Sequence, residues 1–332
     1  MPAKKIKIIS ADFGPVVAEP VKKAKKSQTL IGFAWVLIVA ATMLMCHALL
    51  KTKGEGAPDL PELTEQPLPA DDVAAPVRAI GAGGDSSEYR EAGKQKLLDG
   101  DIVGALNDFA LAVEADPNQP LNYIYRGEVL MSGNNFDAAI SDFDAAIRIE
   151  PSVIAYYDRA IANIKLENLQ AAKSDLDDAV NSQYVYPETQ TIAMRDIYAK
   201  RAQINLWLRN WADAENDYTS AIMQNMGEPD WNDYTGRAEA RTNMGNFENA
   251  VQDYVSAVTI ISERIQKTPA EETREGMSRQ AMGFFEKSGA LRVKMGQMDL
   301  ALQDLEAAHT LAIALNDLEN KNRLQILMSS IQ

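Results

Sequence analysis

Two apolar patterns divide the chain. Residues 28–50 read QTLIGFAWVLIVAATMLMCHALL, with no formal charge in the run. About 23 such residues, rising roughly 1.5 Å each, reach across a hydrocarbon core of ~30 Å, so the run predicts one transmembrane helix. From residue 85 onward the apolar residues recur at spacings of three and four, the period of a helix with one buried face. Six segments there share one pattern: Ile102–Ala105–Asp108–Phe109–Ala112, Phe136–Ala139–Asp142–Phe143–Ala146, Leu169–Ala172–Asp175–Leu176–Ala179, Trp211–Ala214–Asp217–Tyr218–Ala221, Phe247–Ala250–Asp253–Tyr254–Ala257 and Met298–Ala301–Asp304–Leu305–Ala308. The alanines let a neighbouring helix approach closely, and the bulky members fill the space that remains.

Gly or Asn precedes each of these helices, at Gly100, Asn134–Asn135, Asn168, Asn210, Gly245–Asn246 and Gly296. Such residues suit a tight turn. Upstream of each turn lies another helical stretch. Four of these carry Tyr, then Arg, then a small residue: Tyr123–Arg126–Gly127, Tyr156–Arg159–Ala160, Tyr198–Arg201–Ala202 and Tyr234–Arg237–Ala238. The end units have Tyr89–Ala92–Gly93 and Phe285–Ser288–Gly289. Each unit is thus helix, turn, helix. The first two lie 34 residues apart, with Pro117 and Pro151 closing them. A period of this size predicts a solenoid. The third-to-fourth spacing is 42, with the excess near Tyr184–Ile192. The fifth-to-sixth spacing is 51, with the excess near Ile260–Met282, where two helices are expected to run long. Leu318, Leu324, Ile326, Leu327 and Ile331 predict a closing helix, because the last repeat of a solenoid otherwise exposes its apolar face.

The units resemble the tetratricopeptide repeat (TPR) family in the small residue of the first helix, the Ala, aromatic or Leu, and Ala of the second, and the closing Pro. The resemblance covers about 230 residues. It implies an all-α fold: a TPR solenoid of about six helix-turn-helix repeats with a C-terminal capping helix, preceded by the one transmembrane helix. A scaffold of this kind names no activity. The resemblance further implies that partners lie on a concave face made by the first helices. Its partner-binding candidates here are Arg90, Lys94, Tyr125, Glu128, Tyr157, Asp158, Lys200, Gln203, Trp207 and Glu239. The aromatic members offer contact area and the acidic ones charge. TPR domains that bind chaperone C-termini use a carboxylate clamp of Lys, Asn, Asn, Lys and Arg. Arg90 and Lys94 fall at its first two positions, but Tyr125, Ile154 and Asp158 follow, and Asp158 would repel a carboxylate where the clamp needs Arg.

Charge sharpens the domain organisation. The net charge is −14, yet residues 1–28 hold seven Lys against Asp12 and Glu19. The chain divides into a basic cytoplasmic tail (1–27), the transmembrane helix (28–50), a flexible Pro/Gly/acidic linker (51–84), six repeats (85–316) and the C-terminal capping helix (317–332). The linker carries five prolines and cannot bury enough apolar surface to offset ordering entropy. Lys22, Lys23, Lys25 and Lys26 outnumber Lys51 and Lys53 across the apolar run, so the N-terminus is expected in the cytoplasm. A cleaved signal has a shorter apolar region, and Met45 before Cys46 opposes a lipoprotein site.

One Cys and two His are too few for a typical structural zinc site, and no phosphate loop, GxSxG or HExxH occurs. His309 occupies a packing position filled elsewhere by Val or Ile. No catalytic residue, metal or cofactor is expected. The acidic body disfavours nucleic acid and favours a basic or amphipathic protein or peptide, with oligomerisation left open. The expected function is that of a non-enzymatic adaptor in the inner membrane of a bacterium. Its repeats would stand in the periplasm and organise a complex or envelope assembly. The alternative is a cytosol-facing, organelle-anchored receptor. The repeated Asp residues are expected to pair with Arg of adjoining units.

Overall fold

Helical periodicity becomes thirteen helices, with no strand among the described residues. These residues, in a computed structural model of the chain, are 85–182, 184–186 and 192–331. The tail, the apolar run and the spacer assigned to residues 1–84 lie outside them, and with them the expected transmembrane helix. Among the described residues no helix is long and apolar enough to cross a membrane.

Unit one is α1 (Ser86–Leu98) and α2 (Ile102–Ala115), unit two α3 (Pro120–Ser132) and α4 (Phe136–Ile149), and unit three α5 (Val153–Lys165) and α6 (Leu169–Asn181). Unit four is α7 (Met194–Trp207) and α8 (Trp211–Gln224), and unit five α9 (Trp231–Asn243) and α10 (Phe247–Lys267). Unit six is α11 (Glu271–Lys294) and α12 (Met298–Ala314), followed by α13 (Leu318–Ser329). Each helix packs on the next. The first helices α1, α3 and α5 also touch in succession, as do α7 and α9.

The two repeated alanines and the bulky residue of every second helix are buried, Phe109, Phe143, Leu176 and Leu305 completely. The small residue of the first helix exists for them. A Cβ on Gly127 would lie 2.7 Å from the Phe143 ring, and one on Gly93 would lie 2.9 Å from Phe109. Each intra-unit turn places one residue at positive φ: Gly100, Asn134, Glu167, Arg209, Gly245 and Gly296. The N–H after it bonds back to the fifth residue before it, as in Asn135 to Leu130 (2.9 Å) and Asn210 to Asn205 (2.8 Å). This is the helix-ending Schellman pattern. In units three and four the left-handed residue is therefore Glu167 or Arg209, while the expected turn residues Asn168 and Asn210 sit one place later, as N-caps.

The Asp ladder corrects the expected pairing. Asp142, Asp175, Asp217 and Asp253 pair with Arg126, Arg159, Arg201 and Arg237 of their own unit, sixteen residues earlier, at 2.5–2.8 Å. The remaining guanidinium nitrogen crosses to the preceding unit, from Arg159 to Asp144 (2.6 Å), Arg201 to Asp177 (2.8 Å) and Arg237 to Thr219 (3.2 Å). A Tyr three residues upstream covers each guanidinium, with 5.5–5.8 Å between ring centre and Cζ. One planar Arg thus satisfies two units at once, a geometry that Lys does not offer.

The excess in the third-to-fourth spacing is non-helical where described. Tyr186 packs into the junction of units two and three, against Leu121, Ile124 and Ile154, and Tyr184 O accepts from Val153 N at 3.1 Å. The excess in the fifth-to-sixth spacing lengthens α10 to 21 residues and α11 to 24. Tyr254 stacks near Phe284 across that junction, with ring centres 6.3 Å apart. Helix α13 buries Leu324 and holds α11 through Arg323 and Glu286.

Candidate interaction surface

The sequence-derived candidates fall into three groups on the first helices. Lys94 of α1, Tyr125 and Glu128 of α3 and Asp158 of α5 form one. Lys94 Nζ lies 4.6 Å from the Tyr125 ring centre and 2.8 Å from Glu91. Tyr125 stacks in turn on Phe109 at 5.7 Å. Burial pushes Glu128 up to about 7, with Lys94 opposing. Burial also drives Asp158 well above the usual carboxylate range, and the charge of Glu128 adds to it. Asp158 Oδ2 is enclosed and has no hydrogen-bond partner.

Lys200, Gln203 and Trp207 make the second group, along one stripe of α7. Trp207 is 49% exposed at the helix end, while Lys200 and Gln203 are half-buried. Glu239, exposed on α9, belongs to the third. Burial raises the Tyr218 and Tyr254 hydroxyls, and the charge of Glu239 adds to both shifts. No hydrogen bond or ion pair links the three groups among the described residues.

Two candidates take other roles. Arg90 is no exposed contact residue. It is buried, and its Nη1 donates to Asn122 Oδ1 at 2.9 Å, tying α1 to α3. Asn122 completes that tie by donating to the Ala112 and Asp116 carbonyls. Tyr157 is half-buried against Val153, Ile197 and Ile204, so its ring also packs units three and four together.

Sequence reasoning missed Arg195. From the start of α7 it reaches Asp196 (2.9 Å), Asp230 (2.8 Å) and Asp233 (2.6 Å), drawing α9 and its leading loop toward α7. Asp233, 3% exposed, would otherwise be a buried unpaired charge. Arg195 lies outside the repeated Tyr–Arg–small pattern, so periodicity gave no signal for it. Among the described residues no group of three or more His, Cys, Asp or Glu could hold a metal ion. His309 is half-buried with Nε2 enclosed, in keeping with a packing position.

With this geometry in hand, the chain compares with known proteins as follows. No protein-family model matches it. A DnaJ homolog subfamily C member 7 homolog of Dictyostelium discoideum is 25% identical over an alignment of 223 residues, and the match covers 60% of this chain. The chain spans 40% of that relative's length. The crystal structure of YrrB, described as a TPR protein with an unusual peptide-binding site, superposes with a TM-score of 0.51 at 16% identity. It covers 66% of this chain and 97% of YrrB. A crystal structure of MamA gives 0.47 at 23% identity, covering 56% of this chain and 96% of MamA. The fold is thus a TPR-like helical repeat.

Proposed function

We propose that this protein is a non-enzymatic scaffold that holds a basic or amphipathic segment of a partner protein against its first helices. The supporting observation is how the charges are used. The Arg–Asp ladder consumes the charges between the helix layers, while the carboxylates of Glu128, Asp158 and Glu239 on the first helices enter no hydrogen bond or ion pair among the described residues. The repeat domain (residues 86–332) carries a formal charge of about −15, which favours basic partners and steers their approach. The peptide-binding site in YrrB's description fits the same use of such a fold.

The address belongs to the same proposal. Residues 28–50 anchor the protein in a bacterial inner membrane, the N-terminus faces the cytoplasm, and the repeats stand in the periplasm to organise an envelope complex. The charge-free apolar run and its N-terminal lysines support this.

Display of a random dodecapeptide library to the full chain tests the binding. Retained peptides should be rich in Lys, Arg and aromatics, and Trp207→Ala should shorten their residence time. Recovery of no peptide at all would refute the scaffold role. A reporter that is active only outside the cytoplasm, fused after residue 85, tests the address: an inactive fusion would reverse the orientation.

A further inference from the structure

Glu128 and Asp158 lie on successive, touching first helices, α3 and α5. Neither takes part in a hydrogen bond or an ion pair among the described residues, whereas the Asp of every ladder rung is paired. One oxygen of Asp158 is enclosed with nothing to bond. A buried carboxylate in that condition is costly unless it is protonated or a cation comes to it. The nearest cation cannot serve. Lys94 is committed to Glu91 and to the Tyr125 ring on the α1 side of Glu128. Arg195, which lies near Tyr157, is committed to Asp196, Asp230 and Asp233. Arg159, the next residue on α5, is held by Asp175 and Asp144. These cations are committed elsewhere, and Asp158 Oδ2 stays without a partner.

From this we infer that the Glu128–Asp158 pair is the receptor for one cationic side chain of a protein partner, an arginine guanidinium by preference. A planar guanidinium can bond two carboxylates in one plane. This rests on the scaffold reading and adds to it the residue type that is read. Occupation is coupled to protons. Of the charged groups around the pair, Lys94 from α1 acts on Glu128, and Glu128 from α3 acts on Asp158 of α5. With Glu128 at about 7 and Asp158 also raised, an incoming guanidinium displaces a proton, and acid releases the ligand.

The probe is a set of fluorescent dodecapeptides of Ala, Ser and Tyr in which a single Arg is moved through the positions, each paired with a version carrying uncharged citrulline. Against the full chain at pH 8, the best Arg peptide should bind at least about tenfold more tightly than its citrulline twin. Its affinity should fall about tenfold between pH 8 and pH 6, following the ionised fraction of a group near 7. Glu128→Gln with Asp158→Asn should abolish both differences, and Asp213→Asn on the exposed side of α8 should keep them. Equal binding of Arg and citrulline peptides would overturn the inference and leave the scaffold reading standing. Binding of neither would overturn both. Saturable Ca²⁺ binding that needs Glu128 and Asp158, without an Arg preference, would make the pair a metal site and overturn the inference as well.

Discussion

At the scale of single residues, the ladder makes the sharpest demand. Asp217 is 6% exposed and is held by Arg201 at 2.6 Å and by Asn205 at 3.0 Å. Arg201→Ala strands that carboxylate and should cost about 3 kcal/mol in chemical denaturation, whereas Arg201→Met with Asp217→Leu should recover most of it. Glu128 behaves in the opposite sense. Its proton is held more tightly folded (about 7) than at the ordinary 4.5. The stability it contributes is therefore full below about pH 4.5 and is lost as pH rises through 7. Glu128→Gln should raise stability by about 2 kcal/mol at pH 8 and change nothing at pH 4, as read from unfolding midpoints. The ladder residues were legible as a repeated Asp and a repeated Arg, but the partner of each was not, because a sequence period does not say which of two adjacent helices a side chain crosses. Arg90 shows the same limit. Its place in α1 suggested an exposed contact, and only Asn122, drawn inward by two backbone carbonyls, turns it into the core.

At the scale of the element, the helix-turn-helix units were legible because three features agreed: apolar spacing, small residues at crossings and turn residues. The departures arose where one feature was missing. Units three and four lack a Gly in the left-handed turn, and Glu167 and Arg209 take that conformation at φ +61°. Glu167→Gly and Arg209→Gly should each stabilise by about 0.5–1 kcal/mol, visible as a raised Tm, since relief of the strained φ exceeds the added backbone entropy. At the crossings the sign reverses. Gly127→Ala drives a methyl into the Phe143 ring and should cost about 1–3 kcal/mol. Ala214→Trp, at a site with no exposure, should cost at least as much, and Ala212→Trp, on the exposed side of the same helix, almost nothing. The segment near Tyr184–Ile192 was legible only as surplus length. That Tyr186 would dock at the junction of units two and three depends on a long-range contact that no local pattern encodes.

At the scale of the whole molecule, all six repeat motifs lie C-terminal to residue 84. The fragment 85–332 should therefore give a helix-dominated circular dichroism spectrum, and a largely unstructured spectrum would show that the upstream segments are needed. The seams between units are not alike. Units two to five are joined by charged and polar bonds through Arg159, Arg201, Arg237 and Arg241. The junction of units five and six carries no ion pair among the described residues. It is sealed by Ala250, Val251, Tyr254, Phe284 and Leu291 on two long helices.

That difference gives the two stretches opposite responses to their surroundings. Salt weakens ionic bonds, the more so the more exposed they are, and strengthens apolar association, whereas cooling weakens apolar association. In hydrogen exchange, concentrated sulfate should loosen the amides of α5 to α9 relative to those of α11 and α12, and chilling toward 0 °C should loosen α11 and α12 first. The last repeat can then part from the array in the cold while the polar seams stay closed, and a partner bound across units two and three would not register the change.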